Sequence, residues 1–136
     1  MIYLRAEDLL RMHEAEVLDG GGVPGVNMGL LEAGVNRCRA SAFGEDAFPT
    51  FHEKAAALFA GVIQSHAFLD GNKRVAVMAL IAFYELNGYQ LLVEDIDLVD
   101  LALDVIEHRA DLAGEDREKI ADRLALWACP MDLPEE

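Results

Sequence analysis

Residues 50–88, TFHEKAAALFAGVIQSHAFLDGNKRVAVMALIAFYELNG, decide how this chain folds. Thr50 and Glu53 have the spacing of a capping box, in which each side chain satisfies a free backbone N–H of a helix's first turn. Phe51, Ala55, Leu58, Phe59, Val62 and Ile63 then recur at helical intervals, which predicts a helix running to His66. A second helix is expected from near Asp70 or Gly71 to Asn87-Gly88, a typical C-terminal stop. Because Val75 to Phe83 are apolar on every side, this second helix is expected to be the central, buried one. The nine residues HAFLDGNKR, 66–74, form the junction between the two.

Outward from this pair, the apolar spacing stays helical. Leu9, Leu10, His13 and Val17 share one face of a helix over about Ala6 to Leu18, which ends in the glycine-rich stretch of residues 20–25. A helix over about Leu30 to Ala42 presents Leu31, Val35 and Cys38. After the central pair, Tyr89 to Val93 reads as a short extended segment, followed by helices over about Ile96 to Arg109 and Glu115 to Trp127. The acidic run Glu94 to Asp104 reads as a solvated helix face, and Trp127, at helical spacing from Ile120 and Leu124, as core. The expectation is therefore all-α: a compact single domain over residues 1–136, a bundle of about six helices with its active-site loop before the central helix. Residues 130–136 are expected to fray.

Composition narrows the function. The chain has 136 residues, 53% hydrophobic and 26% charged, which suits one soluble domain with one core. A net charge of −14 repels phosphate backbones and argues against direct nucleic-acid binding, while suiting either a basic protein partner or a salt-rich cytoplasm. The most apolar stretch, Val75 to Tyr84, is about half of what a bilayer requires, and the N-terminus has no apolar signal core. These features point to a cytoplasmic protein without a membrane segment. Cys38 and Cys129 read as two reduced thiols.

In this negative chain the junction is an exception. A helix N-terminus exposes backbone N–H groups and the positive end of the helix dipole, and both attract anions. Here that terminus carries Gly71, which lets a ligand approach the backbone, with Asn72 and two cations, Lys73 and Arg74. Arginine can fork onto two phosphate oxygens. Asp70, just before it, is a carboxylate suited to Mg²⁺, which takes one or two protein carboxylates and completes its shell with phosphate and water. An imidazole can take up a proton near neutrality, so His66 can accept the proton of a hydroxyl. Taken singly, Asp70 reads as a helix cap, Arg74 as a solvated charge and His66 as a polar helix end. Their joint spacing supplies a base, a metal ligand and an anion cradle, the parts that phosphoryl-type transfer needs. No Walker-type phosphate loop is present.

HAFLDGNKR resembles the active-site motif of the Fic superfamily, H-x-F-x-[DE]-G-N-[GK]-R, and with Lys73 it looks most like the death-on-curing (Doc) branch. Gly21-Gly22-Val23-Pro24-Gly25, Gly29-Leu30-Leu31-Glu32-Ala33, Glu53-Lys54-Ala55-Ala56-Ala57-Leu58 and Asn87-Gly88-Tyr89 resemble further landmarks of that branch, in order, over about residues 3–127. The resemblance implies a compact helical fold and the toxin of a toxin–antitoxin pair. It implies that His66 is the base, that Asp70 holds Mg²⁺, and that Gly71, Asn72, Lys73 and Arg74 form the nucleotide-binding anion hole. The loop at residues 20–25 then either borders the target cleft or is a plain connection.

Two departures matter. Fic adenylyltransferases usually have glycine where Lys73 stands, and a second arginine where this chain has Val77. A side chain at 73 fills space beside the backbone, and loss of the arginine removes a ligand for the far phosphates. Both change which phosphate faces the nucleophile. The Doc branch resembles a kinase in outcome, so the leading expectation is transfer of the γ-phosphate of ATP to a threonine of elongation factor Tu, with AMP transfer to a protein hydroxyl as the alternative. Ser41 to Asp46, SAFGED, falls short of the inhibitory [ST]-x-x-x-E-[GN] helix of many Fic proteins, so restraint is expected from a separate antitoxin. A catalytically silent module acting in an antitoxin complex, and a helical ribonuclease toxin, are the rival classes; the intact loop argues against the first, and the lack of an R-x₄₋₆-H arrangement together with the negative charge against the second. Of the other histidines, His13 reads as a packed core residue, and His52 and His108 as surface residues.

Overall fold

In the computed structural model, which describes residues 1–20, 22–107 and 115–131, the helix over Phe51–Ser65, α3, is enclosed by its neighbours. Ten consecutive residues from Lys54 to Ile63 are buried. Half of them are alanine or glycine, and this lets other helices approach closely. The helix over Met28–Asn36, α2, crosses α3 so tightly that a Cβ on Gly34 would stand 2.7 Å from the Gly61 carbonyl oxygen. At the N-terminus of α3, the Thr50 hydroxyl oxygen accepts the Glu53 N–H at 3.1 Å and the hydroxyl donates to the Glu53 carboxylate at 3.1 Å. The buried Lys54 ammonium finds its counter-charge in Asp46, 3.1 Å away.

The partner helix α4 spans Asn72–Leu86, and here the reading of centrality needs correcting. One face, Val75, Ala76, Ala79, Leu80, Phe83 and Tyr84, is buried, but Val77, Met78 and Ile81 are only half-buried. Bulky apolar residues all round did not make α4 the enclosed helix; the small residues of α3 did. Asn87 and Gly88, with φ of 88° at the glycine, stop α4 as expected. The Asn87 side chain also exchanges two hydrogen bonds with the Ile2 backbone, at 2.8 and 2.9 Å, and so ties down the chain's N-terminus.

The first helix, α1, spans Ala6–Leu18, as read from the sequence; the Asp8 carboxylate accepts the Arg5 N–H at 2.8 Å. α2 starts two residues earlier than expected, because Asn27 caps it by accepting the Leu30 N–H at 3.1 Å. It also ends sooner. After a 3₁₀ turn over Arg37–Arg39, two short strands, β1 (Ser41–Ala42) and β2 (Glu45–Asp46), pair antiparallel across Phe43 and Gly44. Both turn residues have positive φ, 55° and 80°, the conformation of a tight hairpin. The helix was expected to reach Ala42; SAFGED instead forms this hairpin and no inhibitory helix.

β3 (Tyr89–Leu91) matches the expected extended segment and pairs antiparallel with β4 (Ala128–Pro130). Met131 N–H also donates to the Gly88 carbonyl at 2.9 Å. Pro130 and Met131 are thus held, contrary to the expected fraying; residues 132–136 lie outside the described residues. α5 runs over Asp95–Glu107 and buries Leu98, Leu101, Ala102 and Val105, leaving Asp95 and Asp100 exposed. α6 runs over Glu115–Trp127, with Trp127 partly buried beneath the Arg123 guanidinium, 5.6 Å from its ring centre. The expected helix end at Arg109 and the surface position of His108 lie outside the described residues.

His52 is not the surface residue expected. It is half-buried, with Nδ1 2.8 Å from the Tyr84 hydroxyl. Burial pushes the imidazole pKa down and the Tyr84 phenol well up, the latter reinforced by Tyr89. The outcome is all-α, with six α-helices among the described residues and two small two-stranded sheets. No helix among them is long and apolar enough to cross a membrane.

Candidate active site

The loop between α3 and α4 is shaped by its own residues first. His66 ends α3 in the left-handed conformation, φ 48°, which leaves its exposed side chain beside the loop rather than in the helix stack. Ala67 and Phe68 turn inward and are buried, the latter as expected. Asn72 faces back: its Oδ1 accepts the Phe68 N–H at 3.0 Å and its Nδ2 donates to the Phe68 carbonyl at 2.9 Å. Phosphate binding was expected of Asn72. Its side chain instead shapes the loop, leaving its backbone N–H, at the start of α4, for an anion.

A second segment braces the loop from outside. Asn27 N–H donates to the Ala67 carbonyl at 2.7 Å, Leu69 N–H donates to the Gly25 carbonyl at 3.1 Å, and Val26 and Phe68 form an antiparallel bridge. The stretch after the first helix is therefore no plain connection. A Cβ on Gly22 would lie 3.7 Å from Asp70 Oδ2, so this stretch passes close to the carboxylate; Gly21 lies outside the described residues. Underneath, His13 of α1 is buried, as expected of a core histidine, and stacks on Phe68 with ring centres 4.2 Å apart. Its Nε2 donates to the Asp70 carbonyl at 2.8 Å, because a carbonyl can only accept.

The structure brings His66, Asp70, Gly71, Asn72, Lys73 and Arg74 to one end of a cleft of about 740 Å³. Its remaining walls are mostly apolar: Ile63, Val77, Met78 and Ile81 on one side, Val99, Ala102 and Ile106 of α5 on the other. That volume falls in the range of small-molecule sites, about 300–1,000 Å³, and the half-buried face of α4 is explained as its wall. Gly71 precedes α4 with φ of 89°, a conformation that favours glycine. Arg74 points toward α1, where its guanidinium lies 3.2 Å from the Glu16 carboxylate. Sequence reasoning missed Glu16 and the loop contact of His13, since neither pairing leaves a local pattern.

Among the described residues no group of three or more His, Cys, Asp or Glu side chains converges on a point that could hold a metal. The exposed Asp70 carboxylate offers oxygen donors of the kind that Mg²⁺ takes together with phosphate oxygens and water.

A model described as the Fic/DOC family matches residues 3–84, more than half of the chain and the whole of the loop. The chain is 38% identical over 128 residues to a protein named Toxin Doc from Mycolicibacterium smegmatis, covering 93% of each. It is 32% identical over 104 residues to a protein named Protein kinase doc from Escherichia phage P1, covering 76% of this chain and 81% of the relative.

Proposed function

Because this chain belongs to the Fic/DOC family, on its death-on-curing branch, we propose that it is the toxin of a toxin–antitoxin pair. We read residues 1–136 as one catalytic domain, acting in the cytoplasm. It transfers the γ-phosphate of ATP to a protein hydroxyl, a threonine of elongation factor Tu, and so blocks translation. The observation that carries this reading is the meeting of His66, Asp70 and the N-terminus of α4 at one end of a nucleotide-sized cleft.

The exposed His66 imidazole takes the proton of the target hydroxyl. The hydroxyl oxygen attacks the γ-phosphorus, the bond from phosphorus to the β,γ-bridging oxygen breaks, and ADP leaves. The N–H groups of the first turn of α4, with Lys73 and Arg74, offset charge on the phosphoryl oxygens. Asp70 would hold Mg²⁺, which would supply further neutralisation of phosphate charge. Val77, which lines the cleft, offers no cation to the far phosphates. This favours a nucleotide placed with its γ-phosphate at His66, in keeping with the relative named as a protein kinase. The partner is an antitoxin protein; the apolar walls of the cleft offer it a groove of the kind that receives a helix.

The test incubates the chain with ATP, Mg²⁺ and elongation factor Tu, with His66→Ala as control, and reads the intact mass of the factor. A gain of one phosphoryl group, absent with the variant, is expected. A gain of one adenylyl group would establish AMP transfer instead, and an unmodified factor would remove this target.

A further inference from the structure

Three features of His13 go beyond core packing. It is 4% exposed, although imidazole is polar. Its Nε2 donates a hydrogen bond to a backbone 57 residues away, the Asp70 carbonyl, at 2.8 Å. And it lies directly under Gly71, where an added Cβ would come 3.6 Å from its Cδ2 and 3.7 Å from its Nε2. The bonded carbonyl belongs to the peptide unit that joins the candidate metal ligand to the first residue of the anion cradle.

A trans peptide is planar, so its C=O and N–H point in opposite directions. With the Asp70 oxygen turned down onto His13, the Gly71 N–H is turned away from α1, and Gly71 lines the cleft. The backbone itself does not protect that orientation. Flipping the Asp70–Gly71 unit changes ψ of Asp70 and φ of Gly71, and glycine accepts either sign of φ. A flipped unit would present a carbonyl dipole where an anion is to bind. The neighbouring peptides are held by other bonds, Phe68 by Asn72 and Leu69 by Gly25.

We propose that His13 is a positioning residue: its Nε2–H locks the Asp70–Gly71 peptide so that the Gly71 N–H serves the phosphate of the bound nucleotide. The stacked Phe68 ring keeps the imidazole in plane for this bond. The inference rests on the nucleotide-transfer reading above, but its structural half stands apart from that reading.

The experiment uses the full chain labelled with ¹⁵N, as wild type, His13→Phe and His13→Gln. Phenylalanine keeps the ring stacked on Phe68 but has no donor, whereas the glutamine amide places an N–H near the position of Nε2. Residual dipolar couplings read the direction of the Gly71 N–H, and calorimetry reads the affinity for ATP with Mg²⁺. The expected result is a reoriented Gly71 N–H in His13→Phe, with affinity lowered on the order of tenfold, as for one hydrogen bond to a charged group, and both restored in His13→Gln. An unchanged Gly71 N–H direction in a folded His13→Phe overturns the proposal whether or not nucleotide binds. If His13→Phe does not fold, the wild-type imidazole decides: ¹⁵N shifts showing the proton on Nδ1 with Nε2 bare overturn it, because a bare nitrogen cannot donate to a carbonyl. A reoriented N–H in a protein that binds no ATP even as wild type would sustain the positioning role and overturn the ATP reading.

Discussion

The Arg74 guanidinium of α4 lies 3.2 Å from the Glu16 carboxylate of α1. A cation of the proposed anion cradle thus already has an anionic neighbour, one helical turn along α1 from His13. The pair is partly exposed, with side chains 55% and 30% accessible, and such pairs contribute about 0.2–1 kcal/mol. Glu16→Gln should therefore leave the melting temperature nearly unchanged. It should raise affinity for ATP with Mg²⁺ by roughly two- to fivefold, since phosphate no longer competes with a carboxylate. Weaker binding by the variant in calorimetry would mean that Glu16 aims Arg74 rather than competing for it.

His66, the proposed base, has a left-handed backbone, φ 48°. A side chain there is strained by about 1 kcal/mol relative to glycine. His66→Gly should abolish transfer and, at the same time, unfold at a higher temperature than wild type. A variant less stable than wild type in a thermal melt would show that the exposed imidazole makes contacts that outweigh the strain.

The crossing of α2 and α3 tolerates no added volume, because a Cβ on either Gly34 or Gly61 meets the opposite backbone. Gly61→Ala should push the helices apart and destabilise the fold by about 2 kcal/mol, despite alanine's better helix propensity. Urea denaturation measures this directly. A neutral or stabilising result would show that the crossing yields cheaply.

His52 and Tyr84, which pair at 2.8 Å, are both shifted by burial, and this gives stability a pH dependence at both ends. Burial depresses the His52 pKa in the folded state, so the unfolded chain binds the extra proton. The stability this brings is present above the ordinary histidine pKa, near 6.5, and is lost as pH falls through the folded value. Burial raises the Tyr84 pKa, so its contribution is intact below the ordinary tyrosine pKa, near 10, and is lost as pH rises through the higher folded value. His52→Gln should flatten the acid limb of a plot of stability against pH, and Tyr84→Phe the alkaline limb. Limbs that keep their slopes in both variants would assign the dependence to other groups.

Much of this protein was legible along the chain, and the reasons are local. Helical spacing, the Thr50 cap and the Asn87-Gly88 stop act over one or two turns, so α1, α3, α4 and α6 fell within about two residues of their expected bounds. The loop at 66–74 was legible for the same reason: its base, carboxylate and cations are neighbours in sequence before they are neighbours in space. The end of α2 was misplaced because a 3₁₀ turn and a hairpin follow it, and Phe43, at positive φ in that hairpin, is a residue type that gives no turn signal. His52 read as exposed because its burial depends on Tyr84, 32 residues away.

The sequence by itself determined the helical class, the position of the loop and the residue types available for chemistry there. Only the tertiary structure decided how that loop is held. It put His13 under the Asp70 carbonyl, Glu16 beside Arg74, Gly25 and Asn27 against residues 67–69, and turned the Asn72 side chain inward onto Phe68. It also made α3 the enclosed helix, because close approach at Gly34 and Gly61 depends on which helices cross. Local propensity follows from one residue and its near neighbours. A contact between residues 57 or 58 apart exists only once packing has brought two helices together.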